Sequence, residues 1–380
     1  MRWPRRRSLG LLGLLGLSGV AAVAPRVAAQ AFPGRPHQHP PADPAYRMTF
    51  PRDFGAHADF RTEWWYVTGW LGDERGFQVT FFRVRTGHPQ ENPSRFAPTQ
   101  LLFAHAALML PQRGHALHGQ RAARIGTPGA RFSEEDANLA IGDWSFARSS
   151  DDRYRTVIRD AAFDLDLQLA PPGAAGEARN RPWLQGEDGF SRKGPQPGQA
   201  SHYYSRPQLR VNGTVDGSPA SGVAWFDHEW STTVLDPSAE GWDWAGINLD
   251  DGSALVAFRI RRRHKPGGDG KDAAADATLW RYGALRAPDG SSRQVEPIEF
   301  EVLREWQSPR TGTRYPVAMR LLLPDRRLQL EPLFDDQELD GRASTGTIYW
   351  EGAVRVLDDR GRRIGRGYLE LTGYHTALRL

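Results

Sequence analysis

The 380-residue chain contains no cysteine, which excludes a disulfide staple, a thiol nucleophile and a thiolate metal site. Its stability has to come from core packing alone. Lysine is also scarce, with three lysines against 46 arginines, a ratio that points to codon usage more than to function. Stretches with helical apolar periodicity are few, and Ser133 to Leu139 is where a single helical turn is expected. Several active-site signatures are missing as well. There is no G-x-S-x-G, no H-E-x-x-H, no Walker loop and no G-x-G-x-x-G after a strand, which argues against serine hydrolases and zinc proteases of the usual kinds.

What is present begins with an export signal. Met1 to Arg7 carries four arginines and no acid, the apolar run Leu9 to Val23 follows, and Ala28-Ala29-Gln30-Ala31 supplies an A-x-A cleavage pattern. The apolar core is shorter than the roughly 20 residues a spanning helix needs, so release is expected over an uncleaved anchor. Arg6-Arg7-Ser8-Leu9 resembles a twin-arginine signal. Cleavage after residue 31 removes five arginines, leaving 44 basic against 45 acidic residues, so the whole chain's formal charge of +4 becomes about −1. No basic face then remains for nucleic acid. The densest basic run, Arg261 to Lys265, reads as a solvated hairpin. A periplasmic or secreted protein that does not span the membrane is the expectation.

Residues 32–46 are Pro- and His-rich and read as a flexible leader. Beyond them, short runs rich in Val, Phe, Trp, Tyr and Thr alternate with Asp-Gly, Gly-Asp and Asn-Gly turns, the pattern of an antiparallel all-β sandwich or barrel. Some 349 mature residues are more than one core usually holds. The chain also repeats itself. Gly76 to Arg85 ends in Phe-Arg-Val-Arg and Gly252 to Arg261 in Phe-Arg-Ile-Arg at the same spacing; strands opened by Trp65 and Trp244 precede them. Gly222 to Glu229 parallels Gly365 to Thr372. Each half thus opens with a Trp strand and closes with a Gly-x-x-aromatic-x-acid strand, as a self-closing barrel would. An N-terminal domain over 47–235 and a C-terminal one over 236–380 follow.

The densest functional segment is Trp225-Phe226-Asp227-His228-Glu229-Trp230-Ser231. Strand alternation places Trp225, Asp227 and Glu229 on one face and Phe226, His228 and Trp230 on the other. Two carboxyls beside a tryptophan form an acid pair in which burial and repulsion raise one pKa; the plainer alternative is that each pairs with an arginine. His228 points away, as a structural histidine or a third catalytic candidate. Alternation also keeps Asp-His-Glu from converging on a metal, and no metal is expected. Glu63-Trp64-Trp65-Tyr66, His202-Tyr203-Tyr204, Trp242-Asp243-Trp244 and Tyr349-Trp350-Glu351 supply aromatic walls suited to a flat apolar ligand, or else fill two barrel cores. The Gly/Pro-rich loop from Pro171 to Ala200, which holds Lys193, reads as a lid or mouth. His105, His115 and His118 lack partners at ligand spacing.

These segments, with Asp336-Gln337-Glu338-Leu339 and Gly367 to Tyr374, resemble in order the motif series of the AttH and carotenoid 1,2-hydratase (hydroxyneurosporene synthase, CrtC) family, and the Asp-His-Glu-Trp context is the AttH-like form. The resemblance implies two tandem lipocalin-like (calycin) barrels. It implies, at the hydratase end of the family, addition of water to a terminal double bond of an acyclic carotenoid without a cofactor. On that basis Asp227, Glu229 and His228 are the catalytic candidates. Glu63, Trp64, Trp65, Tyr66, Lys193, Tyr203, Tyr204, Trp225, Trp242 and Trp244 are the ligand-binding candidates. The expected ligand is a small hydrophobic molecule, a carotenoid or lipid. The alternative is a non-catalytic carrier that works with ABC transporter components; a structural or interaction module is a third reading.

Overall fold

A computed structural model describes residues 38–89, 94, 97–174, 176–233, 235–263 and 278–378. The expected signal segment and residues 264–277 of the arginine-rich hairpin lie outside these. From 38 to 46 there is no strand, and this stretch is tied down: the Tyr46 hydroxyl donates to Asp53 Oδ1 at 2.7 Å, and the Asp43 amide to His202 Nε2 at 3.3 Å.

The fold is all-β, with two antiparallel sheets that each curl into a near-barrel. Among the described residues, thirteen strands between Thr62 and Thr233 form the first sheet and ten between Ala239 and Leu371 the second. In the first, Thr62–Leu71 lies between its hairpin partner Arg75–Arg85 and the closing strand Ser218–Thr233. In the second, Ala239–Leu249 lies between Ala254–Arg262 and Arg363–Leu371. Side chains bridge the seams: Arg121 reaches the Ile141 and Arg159 carbonyls at 3.2 and 2.8 Å, and Arg281 pairs with Glu299 at 2.8 Å.

The repeated Phe-Arg-x-Arg ending has a structural meaning. Its first arginine faces an acid across the hairpin in both halves: Arg83 opposite Glu63 at 2.8 Å, Arg259 opposite Asp243 at 2.6 Å. The run expected to be solvated begins inside this arrangement, because Arg261 is drawn to the same buried Asp243 at 3.0 Å. Counting along the ladders corrects the alignment of the closing strands by two residues. Trp64 faces Glu229 and Trp244 faces Glu370, while Tyr66 faces Asp227 and Gly246 faces Tyr368. Glu370 is therefore the counterpart of Glu229, and Tyr368 of Asp227; a slip of two leaves every side chain on the same face.

Three apolar layers result. Trp65, Val67, Phe77, Phe81 and Phe226 fill the first barrel, and Ala245, Ile247, Leu321, Trp350 and Leu369 fill the second. Between them lies a third layer, with Tyr66, Trp70, Tyr203 and Trp225 from one half and Trp244, Phe258, Tyr349 and Tyr368 from the other. The Thr62–Leu71 strand is buried at nine of ten positions because its odd-numbered face enters a barrel and its even-numbered face enters this shared layer. The halves are also joined by polar bonds, such as Trp70 Nε1 donating to the Gly367 carbonyl at 2.9 Å.

The helical turn expected at Ser133 to Leu139 does not form; a bend leads into the strand Asn138–Ile141. Side chains satisfy the backbone locally instead. Ser133 Oγ accepts from the Glu135 amide at 3.1 Å and Asp136 Oδ1 from the Ala137 amide at 2.8 Å, which competes with helical bonding.

Candidate active site

The outward face of the closing strand Ser218–Thr233 borders a cavity of about 330 Å³ between the two barrels, not inside either. Its wall joins Trp64, Tyr66, Phe82, His105, Lys193, Asp227 and Glu229 from the first half to Trp242, Trp244, Phe258, Tyr349, Glu351 and Glu370 from the second. The volume falls at the lower end of ligand cavities, which run from about 300 to 1,000 Å³, so it takes a small ligand whole or one end of a long one. A wider surface groove of about 840 Å³ beside Trp280 and Tyr282 carries none of these buried acids.

Asp227 is 2 % exposed. Its Oδ1 accepts from the Ser205 hydroxyl at 2.6 Å and the Trp225 indole at 2.7 Å, and its Oδ2 from the Tyr203 hydroxyl at 2.7 Å. No cation pairs with it among the described residues. Burial pushes its carboxyl up to about 7 against these three donors, and the Glu229 charge adds to the rise. Glu229 differs. Lys193 Nζ lies 2.9 Å from its Oε1, over the rings of Tyr203 at 4.6 Å and Phe258 at 4.1 Å. Of the two acids, Asp227 is the one left without a counter-ion.

The expected site residues divide by strand face. Trp64, Tyr66, Lys193, Trp242 and Trp244 line the cavity with the two acids. Tyr203 and Trp225 stand behind Asp227 as its donors, and Trp244 Nε1 donates to the Tyr203 hydroxyl at 3.1 Å. Trp65, Tyr204 and His228 turn the other way, into the first barrel, where His228 stacks on Trp65 at 4.6 Å. Glu63 reaches the cavity's edge but is consumed by structure. Its Oε1 meets His57 Nδ1 at 2.8 Å and His228 Nε2 at 2.9 Å, and its Oε2 meets Arg83 Nε at 2.8 Å. Burial would raise this carboxyl, but Arg83 and His57 outweigh it and hold it well below its ordinary range. His57, Glu63 and His228 each offer one atom within 4.8 Å of the others, yet the Arg83 charge on the same carboxylate opposes a bound cation.

The loop expected as a lid lies along the strand Ala200–Val215, pairing with it through Trp183–Leu184 and Phe190–Arg192. That docking brings Lys193 to the cavity at 5 % exposure. His105 does have partners, 239 and 244 residues away: its ring nitrogens meet Ser344 Oγ at 2.7 Å and the Tyr349 hydroxyl. Burial pushes the His105 ring down to about 3, with His118 adding to the fall, so it is neutral at pH 7.

Glu351 and Glu370, not among the sequence candidates, face each other across neighbouring strands on the cavity wall. Burial raises both carboxyls; the Glu370 charge adds to the rise of Glu351, and Asp227 and Glu229 add to that of Glu370, against which the Trp242 indole works. Glu370 was legible as an acid on the closing strand of the second half.

A family model described as AttH-like matches residues 41–374. A crystal structure of a Nitrosomonas europaea protein assigned as AttH is 47% identical, covers 88% of this chain and 99% of its own, and superposes with a TM-score of 0.77. Kievitone hydratase from Nectria haematococca is 15% identical, covers 91% of this chain and 99% of its own, and gives a TM-score of 0.60, a likeness of fold. None of the curated proteins matches the chain.

Proposed function

Because the chain belongs to the AttH-like family, we propose that it is a hydratase-like enzyme that adds water to a C=C bond of an apolar polyene or lipid, with Asp227 as the acid. One observation carries this reading: a buried carboxyl, raised to about 7, borders an aromatic cavity and pairs with no cation among the described residues. A group with that pKa is a proton donor and acceptor near neutral pH. Protonation of the alkene places positive charge on the adjacent carbon. The faces of Trp64, Tyr66, Trp242 and Trp244 stabilise that charge. Water then adds its oxygen to the cationic carbon and releases a proton. That kievitone hydratase shares the fold is consistent with hydration chemistry on this scaffold. Export to the periplasm or beyond belongs to the same proposal and rests on the N-terminal segment.

A second reading, a carrier that hands a hydrophobic ligand to ABC transporter components, is favoured by one feature. Three donors already occupy Asp227, which suits a fixed polar anchor as well as an acid. Incubation with lycopene, followed by chromatography for the hydroxylated product, separates the two. Product from wild type that disappears in Asp227→Asn supports the enzyme. Product untouched by that substitution, or tight binding with no turnover, contradicts it.

A further inference from the structure

The cavity has a second acidic centre besides Asp227. Glu351 and Glu370 stand directly opposite each other on the strands Ile348–Leu357 and Arg363–Leu371, 1 % exposed in the case of Glu351. Directly opposed residues on one sheet face place their Cβ atoms about 4.5–5.5 Å apart, where like charges repel. Neither carboxyl pairs with a cation among the described residues, and Glu351 Oε2 is buried without a hydrogen-bond partner. The groups that face them are Tyr66 from the first barrel's opening strand, Tyr349 and Tyr368 from their own strands, and Asp227 and Glu229 from the first barrel's closing strand. His105, on Gln100–Met109, touches Tyr349, and Lys193 is committed to Glu229. The Tyr66 hydroxyl is buried beside Glu351 and works as a neutral donor that lowers this carboxyl, against the rise that burial gives it. All of these line or back the same cavity.

We propose that Glu351 and Glu370 form the second acid–base group of the site, the one that handles water while Asp227 handles the alkene. The inference rests on the hydration reading above. Two opposed carboxyls without a cation, Glu351 buried and Glu370 half-buried, hold at least one proton between them, and the working form is the one with one acid and one carboxylate. The steps balance. The alkene π pair takes the Asp227 proton to form a C–H bond, which leaves a cation on the neighbouring carbon and a carboxylate on Asp227. A water lone pair forms the C–O bond, and the ionised member of the pair takes one of that water's protons. Glu370 is the less buried member and is the one the Trp242 indole lowers, so it is the one that ionises and accepts, and Glu351, buried more deeply, keeps the shared proton. Returning the Glu370 proton to Asp227 restores the starting state with net addition of H and OH.

The test has two parts, both on the intact chain. In infrared titration, wild type should show a protonated-carboxyl band at pH 7 that Asp227→Asn does not remove and Glu351→Gln weakens. In lycopene hydration, Glu370→Gln should lower turnover by about 10²-fold or more with KM little changed, and should flatten one limb of the pH profile. Circular dichroism checks that the variant is folded; if it is not, Glu351→Gln is read in its place. No such band in wild type overturns the shared proton. Product that vanishes in Asp227→Asn but forms at the wild-type rate and pH profile in Glu370→Gln overturns this inference alone. Wild type that makes no product overturns the hydration reading and the pair's role with it.

Discussion

Lys193 Nζ sits 2.9 Å from Glu229 Oε1 inside the cavity wall, and this pairing is what separates the roles of two acids only two residues apart. Glu229 has its charge matched, whereas Asp227 two positions earlier has only neutral donors. Removing the lysine therefore changes Asp227 too. In Lys193→Met the unmatched Glu229 charge disfavours ionisation of Asp227, so the acid limb of the activity profile should move above its wild-type midpoint. Stability should fall by about 3–5 kcal/mol, as for other buried pairs broken on one side. Urea denaturation and a pH–rate series read both effects, and Lys193→Met with Glu229→Gln should restore most of each.

The raised Asp227 carboxyl sets the sign of a stability trend. An acid whose folded pKa lies above its unfolded value binds more protons folded than unfolded between the two, so it loses stability as pH rises across that window. For Asp227 the window runs from 3.8 to about 7. A rise of this size is worth roughly 4 kcal/mol at full ionisation. Glu351 and Glu370 are raised as well and act in the same direction. Asp227→Asn, able to keep bonds to Ser205, Trp225 and Tyr203, should be at least as stable as wild type at pH 8 while losing hydration. Thermal melts from pH 4 to 8 should show a shallower decline for the variant.

Gly246 is where the two halves' tryptophans meet. A Cβ there would run into the Trp244 ring and lie 2.9 Å from Trp225 Cδ2. Gly246→Ala should displace the wall of the cavity and weaken ligand-induced quenching of tryptophan fluorescence by about tenfold. Both barrel interiors lie on the other faces and should keep the circular dichroism of wild type.

The Glu63 cluster should behave as structure, not chemistry. Arg83→Met strands a buried carboxylate among His57 and His228, which should cost about 3–5 kcal/mol. Folded variant should still bind lipid. Treatment with a chelator should leave the melting temperature of wild type unchanged, since Arg83 already compensates Glu63.

The strand alternation and the repeat were enough to read two sheets that each curl toward a barrel, because period-two patterning and turn chemistry are local; the opening tryptophans were matched one residue out, since Trp64, not Trp65, is the counterpart of Trp244. The face assignment of Asp227, Glu229 and His228 was legible for the same reason. The location of the cavity was not. Strands such as Thr62–Leu71 are buried on both faces, and a sequence buried on both faces does not say which side is barrel interior and which is the contact between barrels. Trp65 and Tyr204 entered the ligand list on that ambiguity, although they pack inside the first barrel. His105 with Ser344, and Glu351 with Asp227's side of the wall, join residues more than a hundred positions apart, a proximity created by docking that no spacing within one half encodes. The helical turn at Ser133 failed for a smaller reason, since Ser133 and Asp136 bond the backbone themselves.

The most direct test is the titration of the Asp227 carboxyl itself, followed by carbon NMR on protein labelled at aspartate side chains and assigned by its absence in Asp227→Asn. A midpoint near 7 is the predicted result. A midpoint near 3.8, the ordinary value, would mean that the carboxyl is ionised at neutral pH and has no proton to give.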